Sequence, residues 1–177
     1  MLNVAFLRGI NVGGHTLKMD RLRTLFEEAG MEQVSTVIAT GNVIFDSPLA
    51  PAALENLLSD HLHTSLGYEV DTFVRTPNEV RASATHPPFP AAQLGEGTLY
   101  ICYLGATPPA GTEKTLASLS TADHELRLHG RELYWLARGS IARNDVGERA
   151  LARALGTSMT MRNLNTVRRI ISRLPEA

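Results

Sequence analysis

The sequence predicts an α+β protein made of two tandem ferredoxin-like (βαββαβ) units, each with an antiparallel sheet, and a C-terminal helix. Three observations predict it. Short apolar runs and longer amphipathic stretches alternate in the order β-α-β-β-α-β over residues 1–76. The same order recurs over residues 98–177. Between them, residues 77–97 hold a short helix and a Pro-rich linker.

The first unit opens with Val4-Ala5-Phe6-Leu7, an apolar run read as a buried strand. Arg8 to His15 follows as a glycine-rich loop. Met19, Leu22, Leu25, Phe26 and Ala29 then recur at spacings of three and four, so a helix follows, stopped by Gly30. Val34 to Ile38 is β-branched and strand-like. Thr40-Gly41-Asn42 is a tight turn, and Val43-Ile44-Phe45 is the returning arm of a hairpin. Pro51 sits in the tolerated first turn of a second helix, whose apolar face is Leu54, Leu57, Leu58, Leu62 and Leu66, closed by Gly67. Val70 to Val74 alternates and completes the unit as a strand.

The second unit is read in the same way. Pro77 to Ala84 forms a short helix, and His86 to Pro90 excludes one. Thr98 to Leu104 is a strand, and Thr112 to Leu119 a helix of low propensity. Glu125 to Leu128 and Leu133 to Leu136 pair across a His129-Gly130 turn. A helix within Ile141–Leu155 stops at Gly156, and Ser158 to Met161 supplies the last strand. Val167, Ile170, Ile171 and Leu174 mark the final helix, stopped by Pro175.

Composition narrows the function classes. The chain has 177 residues, 44% hydrophobic and 20% charged, which is a globular balance. Its one cysteine, Cys102, excludes an internal disulfide and a Cys-rich zinc site. The start of the chain has no signal-peptide pattern, and no apolar run approaches a membrane span, so a soluble cytoplasmic protein without a membrane partner is expected. The net charge of −1 hides an asymmetry, because the basic residues concentrate after residue 125 and are nearly all arginine. Arginine suits bidentate contact with phosphate or carboxylate.

Topology sharpens the search for a site. In a βαββαβ sheet the first two strands run parallel, with the third antiparallel between them. The Arg8–His15 loop and the Thr40–Asn42 turn are therefore expected at one end of the sheet. That loop also runs into a helix N-terminus, where free N–H groups and the helix dipole favour an anion. Lys18 lies there, although a cation opposes the dipole. The loop matches neither G-x-G-x-x-G nor G-x-x-x-x-G-K-[ST], and φ > 0 connector glycines explain Gly9, Gly13 and Gly14 equally well. A Gly-Asn pair is likewise ordinary hairpin chemistry.

Other residues point elsewhere. His61 and His63, two apart on a helix, diverge, so no metal pair is expected. No nucleophile elbow or Cys-His constellation is present, the Asp and Glu residues lie mostly on helix faces or in loops so that no carboxylate pair can be chosen, and no cofactor is expected. Asn163 or Asn165 is positioned to cap the last helix. Arg169 and Arg173 share its polar face, readable as a solvated face or as an anion-binding strip.

Together these segments resemble a known family. Leu7-Arg8-Gly9-Ile10-Asn11-Val12-Gly13-Gly14, Met19 with Leu22, Thr40-Gly41-Asn42-Val43-Ile44-Phe45, Val74-Arg75-Thr76 and Thr160-Met161-Arg162-Asn163 through Val167 are similar to the hallmark segments of the domain-of-unknown-function 1697 family. The chain departs from that pattern at Thr40, in place of Ser, and at Leu164, in place of Trp. The resemblance implies a soluble bacterial protein with ferredoxin-like subdomains and carries no activity.

Three functions follow. The first is binding of a phosphorylated or carboxylated small molecule by Arg8, Asn11, Gly13, Gly14, Lys18, Thr40, Asn42, Arg162 and Asn163, with Arg8 and Arg162 gripping the anion. No general base stands out, so no reaction is assigned. The second is RNA or other nucleic-acid binding, suggested by the fold and the basic C-terminal segment, although the central strands lack RNP-like aromatics. The third is a protein-interaction module.

Overall fold

The structure is a computed structural model, and residues 1–38 and 41–176 are described. The first sheet contains β1 (Leu2–Arg8), β2 (Glu32–Thr36), β3 (Asn42–Asp46) and β4 (Asp71–Arg75) in the order β2-β3-β1-β4. Each neighbouring pair is antiparallel. β1 is central and buried from Asn3 to Leu7, which is why it reads as an unbroken apolar run. Helices α1 (Met19–Glu28) and α2 (Pro51–Leu66) cover one face. Leu22, Leu25, Phe26, Leu54, Leu58 and Leu62 pack there with Ala5, Leu7, Val43, Phe45 and Val74. Phe26 meets Phe45 edge to face, with centroids 5.4 Å apart. Each such side chain contributes about 1.5–3 kcal/mol on full burial.

The helix signals act as their chemistry dictates. Pro51 opens α2, and Gly67 closes it in the left-handed region with its N–H on the His63 carbonyl. Leu57, expected on the apolar face of α2, is 37% exposed instead. β2 also differs from its expected span, because it ends at Thr36 and Ile38 lies beyond it with φ +59°. The pairing with β3 shifts register between Glu32 and Ser35, around Gln33 at φ +48°. An edge strand with one partner tolerates such a bulge, so local geometry overrides the β-propensity of Val37 and Ile38.

The second sheet repeats the plan with β5 (Thr98–Leu104), β6 (His124–His129), β7 (Glu132–Ala137) and β8 (Met159–Asn163), in the order β6-β7-β5-β8. These pairs too are antiparallel. Helices α5 (Thr112–Leu119) and α6 (Glu148–Leu155) accompany it, and a single 3-10 turn, Ile141–Arg143, precedes α6. Leu116, Leu151 and Leu155 pack with Cys102, Leu104, Leu126, Leu133 and Trp135. The Trp135 indole Nε1–H donates to His124 Nδ1 at 3.0 Å, satisfying a buried donor. β8 runs two residues further than expected and takes Arg162 and Asn163 into the sheet. Pairing with β5 accounts for this, since Ile101 faces Arg162 and Tyr100 faces Asn163.

The segment between the sheets carries α3 (Pro77–Thr85) and the four-residue α4 (Ala91–Leu94). The final helix, α7 (Leu164–Ile171), has Val167 and Ile170 buried, as its spacing predicts. The chain parts into two compact units, Met1–Ala82 with Arg168–Ala177, and Ser83–Val167. The last ten residues thus group with the first unit, where the Arg81 guanidinium donates to the Pro175 carbonyl. Among the described residues, no helix is long and apolar enough to cross a membrane.

Candidate functional site

The end of β1 and the β2–β3 turn meet as the strand order requires. Leu7 N–H donates to the Gly41 carbonyl at 2.8 Å. Gly41 has φ +76°, and a Cβ there would lie 2.7 Å from Ile10 Cδ1 and 3.1 Å from Leu7 Cβ. The loop leaving β1 therefore rests directly on the turn, and only glycine fits between them. Thr40, the other expected member of this turn, lies outside the described residues.

The loop from Gly9 to Leu17 is pinned at its base and open at its tip. Ile10 and Leu17 are buried. The Tyr68 hydroxyl donates to the Ile10 carbonyl at 3.0 Å, and the His15 ring stacks on the Tyr68 ring at 3.9 Å between centroids. Asn11 Oδ1 accepts the Leu17 N–H at 2.8 Å, closing the loop on itself. At the tip, Gly13 and Gly14 have φ +62° and +84°, with no atom within 4 Å of an added Cβ. Their glycine character serves the backbone turn, and both residues are exposed.

This loop delivers α1. Lys18 is its N-cap, in extended geometry and without a side-chain cap hydrogen bond, although Ser, Thr, Asp or Asn is the usual choice. Asp20 is the acidic residue of the first turn and complements the dipole in part. Arg8 sits opposite Asp71 across β1 and β4, with Nη1 3.6 Å from Oδ2 and both side chains about half exposed. Such a surface pair is worth about 0–1 kcal/mol, so Arg8 is held loosely.

Of the nine expected residues, Arg8, Asn11, Gly13, Gly14 and Lys18 lie on the stretch from the last residue of β1 to the N-cap of α1. Asn42 turns inward instead. It is fully buried, and its Nδ2 donates to the Val37 carbonyl at 3.0 Å, bracing the hairpin. Arg162 and Asn163 belong to the second unit. Arg162 is 8% exposed, with Nη1 on Thr160 Oγ1 at 2.9 Å and on the Met161 carbonyl at 2.8 Å. Burial pushes its pKa down to about 10, against the opposing influence of Tyr103 and Cys102. Asn163 Oδ1 accepts the Thr166 N–H at 2.8 Å and so caps α7. Tyr68 and Asp71 were not among the expected residues. The antiparallel pairing of β1 with β4 places the start of β4 at this same sheet end, so the topology contained that signal.

A family model for proteins of unknown function, DUF1697, matches residues 1–134. The chain belongs to this family. The matched span holds the Arg8–Lys18 loop, the β2–β3 turn, Tyr68 and Asp71. A solved structure, that of the conserved bacterial protein SP0830 from Streptococcus pneumoniae, is similar over 97% of this chain and 96% of its own, with TM-score 0.72 and 18% identity. That likeness shows a shared fold. No curated protein matches the sequence.

Two chemistries are not built into the described part of this DUF1697 chain. Among the described residues, no group of three His, Cys, Asp or Glu side chains is placed to hold a metal. Cys102 is fully buried in β5, and burial pushes its thiol up to about 12, against the charge of Arg162. The reactive species is the thiolate. Native protein at pH 8 is therefore expected to resist iodoacetamide, with full alkylation of Cys102 only in denaturant. Intact-mass spectrometry reads this directly.

Proposed function

We propose that this protein binds an anionic small molecule, phosphorylated or carboxylated, at the Arg8–Lys18 loop. The observation that carries the reading is the start of α1, where a lysine stands as N-cap and makes no side-chain cap hydrogen bond. A helix N-terminus attracts anions, and a lysine there gains a rationale once an anion is bound. Exposed Gly13 and Gly14, in the loop that leads to it, would offer backbone donors, and loosely held Arg8 a bidentate grip. Asn11 and Asn42 keep loop and turn in place rather than touch the ligand. The buried, unpaired Cys102 supports a reducing, cytoplasmic setting, and the structural neighbour supports a bacterial one.

Inorganic phosphate is expected to raise the melting temperature. At ten times the Kd, linkage gives about 1.4 kcal/mol, or roughly 3–6 °C for a chain of this size. Arg8→Ala with Lys18→Ala is expected to reduce the rise by the part this loop contributes, without lowering the ligand-free melting temperature appreciably. A rise left unchanged by both substitutions places the anion elsewhere.

A further inference from the structure

A separate cleft lies on the same unit, between the end of β2 and the C-terminal end of α7 with the turn after it. Thr36, Val37, Ile38, Arg169, Ser172 and Arg173 line a cleft of about 390 Å³. All six belong to the first compact unit. Val167, Ile170 and Leu174 bury the opposite side of this segment, which fixes the arginine face outward.

Arg169 lies in the last turn of α7 and Arg173 in the turn that follows it, and both line the cleft. Both are exposed, and among the described residues neither has an ion pair or a side-chain hydrogen bond. Arg168 adds a third charge next to them, and α7 has no acidic residue in its first turn. Like charges this close repel, and a shared counter-anion relieves the repulsion. Two guanidinium forks on one cleft match the several oxygens of a phosphate group. Ser172 Oγ donates to the Arg169 carbonyl at 2.9 Å, so the guanidinium groups and the Thr36 hydroxyl remain as the donors.

The far wall is apolar. Ile38 is 37% exposed and held at φ +59°, a region that β-branched residues rarely enter. Backbone in that state is kept by its surroundings and clusters at ligand clamps. The cleft volume falls at the lower end of small-ligand sites, about 300–1,000 Å³. We infer that the Arg169/Arg173 cleft binds a phosphate monoester, with its phosphate on the two arginines and its apolar part against Val37 and Ile38. This site is independent of the loop site proposed above.

The test is an NMR titration with inorganic phosphate and with phenyl phosphate at constant ionic strength, following the Arg169 and Arg173 Nε–H signals and the Thr36–Ile38 amides. Saturable shifts are expected at these groups, with phenyl phosphate the tighter ligand. Arg169→Gln with Arg173→Gln is expected to weaken binding by about tenfold or more, and the paired lysine variant by less, because lysine keeps charge but loses the fork. Lys18→Ala is expected to leave these shifts intact, which separates this site from the loop. The inference is overturned by any of three results: no saturable shift, the same response to chloride, or an oligonucleotide that binds far more tightly than phenyl phosphate with a steep salt dependence.

Discussion

Gly41→Ala is expected to destabilise the chain by about 2–4 kcal/mol and to lower its melting temperature by roughly 10 °C. Two effects add. A residue with a Cβ at φ +76° carries a penalty of about 1–2 kcal/mol. The new methyl also meets Ile10 Cδ1 at 2.7 Å and Leu7 Cβ at 3.1 Å. The Ile10 end can rotate aside, but Leu7 Cβ is fixed by β1 and cannot. The strain falls on the Leu7 N–H to Gly41 carbonyl bond, the link between turn and loop. Ile10 also anchors the loop through Tyr68, so phosphate affinity is expected to fall with stability. Gly13→Ala is the contrast. It has a positive φ but open surroundings, and it is expected to lose only about 1 kcal/mol. Equilibrium denaturation of the two variants separates steric crowding from backbone strain.

Arg75→Met is expected to lose about 3 kcal/mol or more, through an unpaired charge rather than a cavity. Arg75 is 1% exposed, and its Nη1 lies 3.4 Å from Glu55 Oε1 and 3.0 Å from the Val74 carbonyl. Glu55 Oε1 also accepts the Val74 N–H at 2.9 Å, so the carboxylate ties α2 to β4. Methionine keeps most of the side-chain volume and removes the guanidinium, leaving Glu55 with its charge poorly compensated. Adding Glu55→Gln is expected to recover part of the loss, because the amide oxygen still accepts from Val74. A double-mutant cycle reads that coupling. Asp71→Asn, which breaks the exposed Arg8 pair, is expected to change stability by less than about 1 kcal/mol.

The element order was legible because apolar period and chain breaker agree at most joints, as at Gly30, Pro51, Gly67 and Gly156. The strand order then placed the Arg8 loop beside the Gly41 turn. What local sequence lacked was the fate of polar side chains at strand ends. Asn42 lies opposite Phe6 in the β1–β3 ladder, so register alone turns it inward. Arg162 reads as a loop residue until β8 extends past it. Ile38 looks like a strand residue and lies outside β2, because an edge strand has no second partner to hold its register. Arg169 and Arg173 were legible as a polar helix face, but their facing Thr36 and Ile38 required the tertiary fold.

Anion binding at the α1 N-terminus and its loop is open to direct test in a crystal structure grown without phosphate or sulfate and then soaked in pyrophosphate. Density is expected beside Lys18, within hydrogen-bond distance of the first-turn N–H groups of α1, with Arg8 turned from Asp71 toward the anion. Pyrophosphate bound elsewhere, with this loop empty and Arg8 still on Asp71, would contradict it.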